Sequence, residues 1–246
     1  MKKIVVAPDS FKGSLTSAEV ADAVERGIKD VFPQCNVVKA GVADGGEGTV
    51  EAIVKAVGGD MYAGSVTDPL GRPVKAAYGI VRSGGVKTAV MEMSAASGLP
   101  LLLPDELNPW ITSTYGTGEM ISDALNRGCR KFLVGIGGSA TNDAGTGMLS
   151  ALGVRFLDSS GQRLKGCGRD LESIARIDMS SLMPAARESE FIVACDVNTP
   201  FCGPDGAARV FAPQKGADPQ TAEALDLDAH FFVFLPCFSL ILGKME

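Results

Sequence analysis

The sequence predicts an α/β protein built from two α/β domains with mostly parallel sheets. Three observations support this class. Short apolar runs alternate with amphipathic segments, as they do where a helix follows each strand. Glycine-rich polar loops come directly after several of these runs. The length of 246 residues is sufficient for one large domain or two smaller ones.

The chain opens with a predicted strand, helix, strand and helix, an order that builds a parallel sheet. These elements are the strand 3–7, a helix that reaches about Phe32, the strand 36–43, and a helix between the loop 44–49 and Gly58. Thr16 and Glu19 have the spacing of a capping box at the start of the first helix, and Pro33 ends that helix. Gly58 and Gly59 stop the second helix.

The pattern then changes to three strands with short turns, which predicts an antiparallel meander. They are the strands 61–67, 74–81 and 87–93. We place a domain boundary near residue 75, so that the first domain is 1–75, the second is 76–217, and residues 218–246 follow them. Helices are then predicted at 115–126 and 142–152, and strands at 131–136, 154–157, 191–197 and 209–212.

Composition argues against several classes of function. The net charge of −6 disfavours a nucleic-acid partner, which rewards clustered lysine and arginine. Six scattered cysteines without a C-x-x-C pair disfavour a zinc site or a disulfide framework and suit the cytoplasm. The apolar run after the N-terminal lysines is too short for a signal peptide, and no stretch predicts a membrane span. Because His230 is the only histidine, proton transfer and metal binding must fall to carboxylates.

Five loops concentrate glycine, hydroxyl groups and charge where α/β proteins bind ligands. They are the loops 8–15, 44–49, 112–118, 135–147 and 195–200. Lys12 can meet a phosphate or a carboxylate. The glycines of the loop 44–49 can turn their backbone N–H groups toward an anion at a helix start. Asp44 then either faces Mg²⁺ or acts as a base; ordinary helix capping explains the same residues without a ligand.

The sequence of the loop 135–147 is compatible with either of two ligands, a dinucleotide or a magnesium nucleotide. Its G-x-G-x-x-A pattern follows a predicted strand, and Asp158 closes the next strand, as in dinucleotide-binding domains. An NAD-dependent oxidoreductase that uses the loop from Gly135 to Ala140 is therefore one alternative. Asp143, predicted in the first turn of the next helix, would repel a bare pyrophosphate but would suit a magnesium nucleotide.

Taken together, these loops resemble the type I glycerate kinases over residues 3–224. The motifs that carry the resemblance are APDSFKGSLTSAEVA (7–21), ADGGEGT (43–49), TDPLGRPV (67–74), SAASGL (94–99), TSTYGTGEMI (112–121), GIGGSATNDAGTGML (135–149), CDVNTPFCG (195–203) and VFAPQKGA (210–217). The resemblance implies ATP-dependent phosphorylation of glycerate at its 2-hydroxyl. It also implies a site in a cleft between two α/β domains, the first of which is completed by C-terminal chain.

On this interpretation the catalytic residues are Lys12, Asp44 and Asp196. Lys12 offsets charge on the transferred group, and Asp44 or Asp196 orients the hydroxyl or holds the metal. Glycerate is expected to contact Ser10, Gly45, Gly46 and Asn198. ATP is expected to contact Thr114, Thr117, Gly137, Gly138, Ser139, Thr141 and Asp143, and Mg²⁺ to bind Asp44 and Asp143. Association into a homo-oligomer is compatible with the sequence.

The end of the chain departs from the resemblance. Residues 219–226 are helical in pattern, whereas residues 230–243 are apolar without a clean period and contain Pro236. We therefore expect a truncated or frameshifted family member, with a poorly packed first domain and little activity. A remnant that binds ligand without catalysis is the third alternative.

Overall fold

The computed structural model of the protein describes residues 3–8, 11, 14–40, 48–195 and 197–233. The strands are β1 (Lys3–Val6), β2 (Asn36–Lys39), β3 (Gly59–Thr67), β4 (Pro73–Ser83), β5 (Val86–Glu92), β6 (Lys131–Gly135), β7 (Arg155–Leu157), β8 (Arg176–Asp178) and β9 (Glu190–Ala194). The α-helices are α1 (Ser17–Val31), α2 (Thr49–Val57), α3 (Ser94–Ser97), α4 (Tyr115–Asn126), α5 (Thr146–Ala151), α6 (Pro184–Arg187), α7 (Ala207–Phe211) and α8 (Pro219–Val233). The predicted α/β class is confirmed.

The described strands form three sheets. β1 and β2 pair in parallel, β7 and β8 pair antiparallel, and the central sheet has the order β3-β4-β5-β6-β9. Within the central sheet β3, β4 and β5 form the predicted antiparallel meander, whereas β5, β6 and β9 run parallel. Residue 75, our predicted domain boundary, lies inside β4, and the chain already enters the central sheet at Gly59. The division into domains stays a prediction.

The first two helices begin and end for the reasons that the sequence indicates. The Thr16 hydroxyl accepts a hydrogen bond from the Glu19 backbone N–H at 3.3 Å, and the Thr16 N–H donates to the Glu19 carboxylate at 2.8 Å. This reciprocal pair is the predicted capping box. Gly58, with φ +76°, donates its N–H to the Val54 carbonyl at 3.0 Å and ends α2. None of the helices in the described ranges is long and apolar enough to cross a membrane.

Helices cover both faces of the central sheet. Successive residues of a strand point to opposite faces, and β5 shows this directly. Met91 belongs to a buried cluster that includes Met120 of α4, whereas its neighbour Val90 packs with Val50 and Val54 of α2. The alternation therefore fixes α4 on one face of the sheet and α2 on the other.

One predicted strand is wrong. Residues 209–212 lie in and directly after α7, not in a strand. Ala208 and Ala212, four residues apart, are fully or almost fully buried and pack with Ala222 and Leu225 of α8. That spacing places two small side chains on one face of a helix, so packing against α8 decides the conformation of a short apolar run.

Candidate active site

Three parallel strands end side by side and define the edge at which the site lies. The last residues Glu92, Gly135 and Ala194 of β5, β6 and β9 are register partners in one row. Ligands of α/β proteins bind outside the carboxyl ends of such strands. The segments that leave this edge include two of the loops singled out in the sequence, 135–147 and 195–200.

The glycine-rich loop after β6 is fixed by backbone hydrogen bonds to neighbouring segments, and part of it is exposed to solvent. The Ala140 N–H donates to the Ser97 carbonyl at 2.8 Å, and the Leu99 N–H donates to the Gly138 carbonyl at 2.9 Å. Gly137 and Gly138 are exposed, and Gly138 has a φ of +72° that favours glycine. The loop therefore presents exposed backbone at the edge of the sheet, as predicted for a cofactor contact; the contact itself stays a prediction.

Asp143 joins this loop to the start of α4. Its Oδ2 accepts hydrogen bonds from the Thr114 N–H (2.8 Å), the Thr114 hydroxyl (2.8 Å) and the Gly147 N–H (3.2 Å), and its Oδ1 accepts from the Gly145 N–H (3.0 Å). The side chain is only 2% exposed. Burial raises the pKa of the carboxyl group, and the hydrogen bonds from Thr114 are the first of the contacts that oppose this rise.

These contacts decide how Asp143 fits Mg²⁺. A magnesium ligand has to offer carboxylate oxygen to an ion that keeps several waters. The buried carboxylate of Asp143 already has four donors, so in this arrangement it does not fit the ion directly. Within the described ranges, no three His, Cys, Asp or Glu side chains are grouped as metal ligands.

The structure also corrects the expected position of Asp143. α5 begins at Thr146 rather than at residue 142, so Asp143 precedes the helix and does not lie in its first turn. Ala144 and Gly145 between them both have positive φ, at +51° and +73°. Two left-handed residues in a row cannot continue a helix, which explains the later start.

The same geometry disfavours the dinucleotide alternative. That fold needs a helix N-terminus directly after the glycines and an acidic residue at the end of the neighbouring parallel strand. Here the helix starts six residues after Ala140. Asp158 follows β7, which pairs antiparallel with β8 in a different sheet, and its carboxylate binds the N–H groups of Ser160 and Gln162. Asp158 therefore stabilises its own turn.

The predicted threonine contacts are engaged inside the protein. The Thr117 hydroxyl, 1% exposed, lies 2.7 Å from the Ser97 hydroxyl, and the Thr114 hydroxyl also accepts from the Met148 N–H at 2.8 Å. Thr141 is buried as well. These three threonines are therefore buried, whereas Gly137 and Gly138 are exposed and Ser139 is half-buried.

The other predicted site residues divide into two groups. Lys12, Asp44, Asp196, Ser10, Gly45 and Gly46 lie outside the described residues. Asn198 is described, and it is exposed four residues beyond the end of β9. It is therefore placed at the same edge as the glycine-rich loop.

Lys215 is a site residue that the sequence reasoning missed. It lies in a single 3₁₀ turn, Pro213–Lys215, and is only 6% exposed. Its Nζ donates to the Ser139 hydroxyl at 2.8 Å and to the Thr141 carbonyl at 2.6 Å. A lysine between glutamine and glycine is typical of a solvated side chain. The available signal was its position within the motif VFAPQKGA, which carries the family resemblance.

Glu92 is a second missed residue. Gly48 at the N-cap of α2 has no side chain to cap the helix, and the Glu92 Oε1 instead accepts a hydrogen bond from the Val50 N–H at 3.0 Å. Glu92 is 7% exposed. The end of β5 thus fixes the start of the helix that follows residues 41–47. The available signal in the sequence was an acidic residue at the end of an apolar strand, which can indicate a buried carboxylate with a specific partner.

Replacing Glu92 with alanine should lower the free energy of unfolding by about 1–2 kcal/mol, because the start of α2 loses a buried cap. Glu92→Gln keeps an acceptor oxygen at the same place and should lose less. Urea denaturation of both variants measures the difference. Equal stability of Glu92→Ala and the unmodified protein would show that Glu92 does not cap α2.

Fold and loops together define a mixed α/β protein of the kind that binds small ligands at the carboxyl edge of its sheet. A sequence model described as "Glycerate kinase family" matches residues 4–234. The chain therefore belongs to the glycerate kinase family, and the resemblance of its motifs is confirmed.

Two curated relatives and one solved structure show the extent of the similarity. The chain is 51% identical to "Glycerate kinase" of Haemophilus influenzae, over 91% of this chain and 59% of the relative. It is 47% identical to "Glycerate 2-kinase" of Escherichia coli K12, over 91% of this chain and 58% of the relative. A crystal structure from Salmonella typhimurium LT2 that bears the name glycerate kinase 2 superposes with a TM-score of 0.81 at 45% identity, covering 99% of this chain and 63% of that one. The chain thus spans less than two thirds of each.

Proposed function

We propose that the protein phosphorylates glycerate with ATP, at the 2-hydroxyl. Family membership and the name of the Escherichia coli relative, "Glycerate 2-kinase", support this reaction. One observation carries it in the structure: exposed Gly137 and Gly138 directly precede Ser139, whose hydroxyl accepts from the buried ammonium of Lys215, at the carboxyl edge of parallel strands. Backbone N–H groups in a glycine-rich turn and a fixed cation suit phosphate.

The proposed roles keep the sequence assignments for glycerate and for the catalytic residues, and they change those of four expected ATP contacts. ATP lies along Gly137, Gly138 and Ser139, whereas Thr114, Thr117, Thr141 and Asp143 are buried and stabilise this part of the protein. Glycerate binds near Ser10, Gly45, Gly46 and Asn198. Lys12 offsets charge on the transferred phosphoryl group, and Asp44 or Asp196 orients the attacking hydroxyl.

The step requires little covalent help from the protein. The 2-hydroxyl oxygen of glycerate forms a bond to the γ-phosphorus as the bond to ADP breaks, and the hydroxyl proton leaves to a carboxylate or water. Positioning and charge neutralisation supply the catalysis. Asp44 would hold Mg²⁺ bound to ATP, and the ion would supply neutralisation of phosphate charge.

Several further properties belong to the same proposal. We place the protein in the cytoplasm, because its scattered cysteines suit a reducing compartment. Its partners are the small molecules glycerate and ATP, with no nucleic-acid or membrane partner. A homo-oligomer stays a prediction.

An assay of the 246-residue chain with glycerate, ATP and Mg²⁺ tests the proposal. We expect 2-phosphoglycerate and ADP in equal amounts, detected by coupling to an enzyme that accepts only the 2-phosphate. Omission of ATP is the control. Reduction of NAD by glycerate without phosphoglycerate would contradict the proposal, and ATP binding without turnover would favour the non-catalytic remnant.

A further inference from the structure

Lys215 is held rigidly at the glycine-rich loop. The turn that carries it ends at Gly216, whose φ is +95° and whose added Cβ would lie 2.2 Å from the Leu107 carbonyl oxygen. The turn is therefore packed tightly against residue 107. From this turn the ammonium reaches back 76 and 74 residues along the chain, to the side chain of Ser139 and the carbonyl of Thr141.

Among the described residues, the partners of the Lys215 ammonium are neutral. A hydroxyl and a carbonyl accept two of its three protons, and no carboxylate in the described part of the chain lies within salt-bridge distance of its Nζ. Buried charges are ordinarily paired. Burial accordingly lowers the pKa of Lys215 to about 8, and the more distant charge of Asp143 opposes this shift.

A side chain that only connected the two segments would not need the positive charge of Lys215. A neutral side chain with an N–H donor could join Ser139 to Thr141 without the cost of burying an ammonium. The charge is accounted for if an anion approaches the third proton. Gly137 and Gly138 are exposed and directly precede Ser139, one of the two partners of the ammonium.

We propose that Lys215 is the cation of a phosphate subsite whose other wall is the backbone of Gly137, Gly138 and Ser139. The ligand class is a polyphosphate chain, and the proposed function supplies the reason for choosing that of ATP. Asp143 accepts a hydrogen bond from the Gly145 N–H and so helps to hold the loop in place. Its carboxylate is the charged group of the loop that acts electrostatically on Lys215.

The test compares two lysine variants by calorimetric titration with ATP, tripolyphosphate and adenosine. Lys215→Gln removes the charge and keeps a donor, and it should weaken ATP and tripolyphosphate at least tenfold without changing the response to adenosine. Lys87→Gln is the matched control. Its Nζ also donates to a backbone carbonyl, that of Arg127, but near the start of β5, at the opposite edge of the sheet. The affinities of Lys87→Gln for ATP and tripolyphosphate should stay within about twofold of those of the unmodified protein.

A second measurement needs no variant. The free protein loses the Lys215 proton as the pH rises through about 8. Affinity for ATP should therefore fall about twofold between pH 7 and 8 and by up to about tenfold per unit above pH 8. A flat profile up to pH 9.5, or unchanged ATP affinity in Lys215→Gln, would overturn the subsite.

The outcomes separate this inference from the proposed function. Lys215-dependent binding of tripolyphosphate without turnover of glycerate would retain the subsite and reject the kinase. Turnover of glycerate by a Lys215→Gln variant with normal ATP affinity would retain the kinase and reject the subsite.

Discussion

Asp143→Ala should lower the free energy of unfolding by about 3–5 kcal/mol, because the variant leaves two buried and one half-buried backbone N–H groups without an acceptor, at a cost of about 1–3 kcal/mol for each buried one. The groups are those of Thr114, Gly145 and Gly147, which donate to the carboxylate at 2.8–3.2 Å. Thr114 precedes α4, whereas Gly145 and Gly147 lie at the start of α5, so Asp143 links two segments that are distant along the chain. Since whole domains are stable by about 5–15 kcal/mol, the loss should appear as a large shift of the urea midpoint.

Asp158→Ala is the matched control. Asp158 likewise accepts two backbone N–H groups and a hydroxyl, at 2.7–2.9 Å, but in an exposed turn where water can replace it. Its loss should stay below about 1 kcal/mol. If the two variants lost equal stability, the burial of Asp143 would not be the reason for its effect.

The sequence predicted most of the elements because their signals are local. The capping box at Thr16, the stop at Gly58 and the hairpin turns of the meander each lie within a few residues. α4 has the predicted bounds, residues 115–126. Where an apolar run was short, as at residues 209–212, periodicity could not separate strand from helix, and packing against α8 decided the outcome.

The candidate site shows the same division. Glycine-rich patterns predicted that the loop after β6 lies at the carboxyl edge of the sheet. They could not reveal that the buried Asp143 carboxylate holds two segments together by hydrogen bonds, since its partner Thr114 lies 29 residues away. Nor could they reveal that Lys215 is buried, since Thr141 lies 74 residues away. Roles that depend on burial require the tertiary contacts, and for this reason two similar aspartates, Asp143 and Asp158, differ completely.

Gly116→Ala should lower the free energy of unfolding by about 3 kcal/mol or more, at the upper end of the cost of overpacking. A Cβ at this position of α4 would lie 1.8 Å from the carbonyl oxygen of Thr67 and 2.9 Å from its carbonyl carbon. The obstructing atoms are backbone and cannot rotate away. The Thr67 N–H and hydroxyl also donate to the Glu119 carboxylate at 2.7 and 2.9 Å, so β3 cannot withdraw from α4 without losing both bonds.

Gly27→Ala makes the same chemical change in a helix where space is open. Nothing lies within 4 Å of a Cβ built on Gly27 in α1. Alanine there should raise stability by about 0.5–1 kcal/mol, because glycine loses more backbone entropy on entering a helix. Thermal and urea unfolding of both variants should therefore give opposite signs. A Gly116→Ala variant as stable as the unmodified protein would mean that β3 and α4 are not in contact at Thr67, and that the turn after β3 is free to move away from the start of α4.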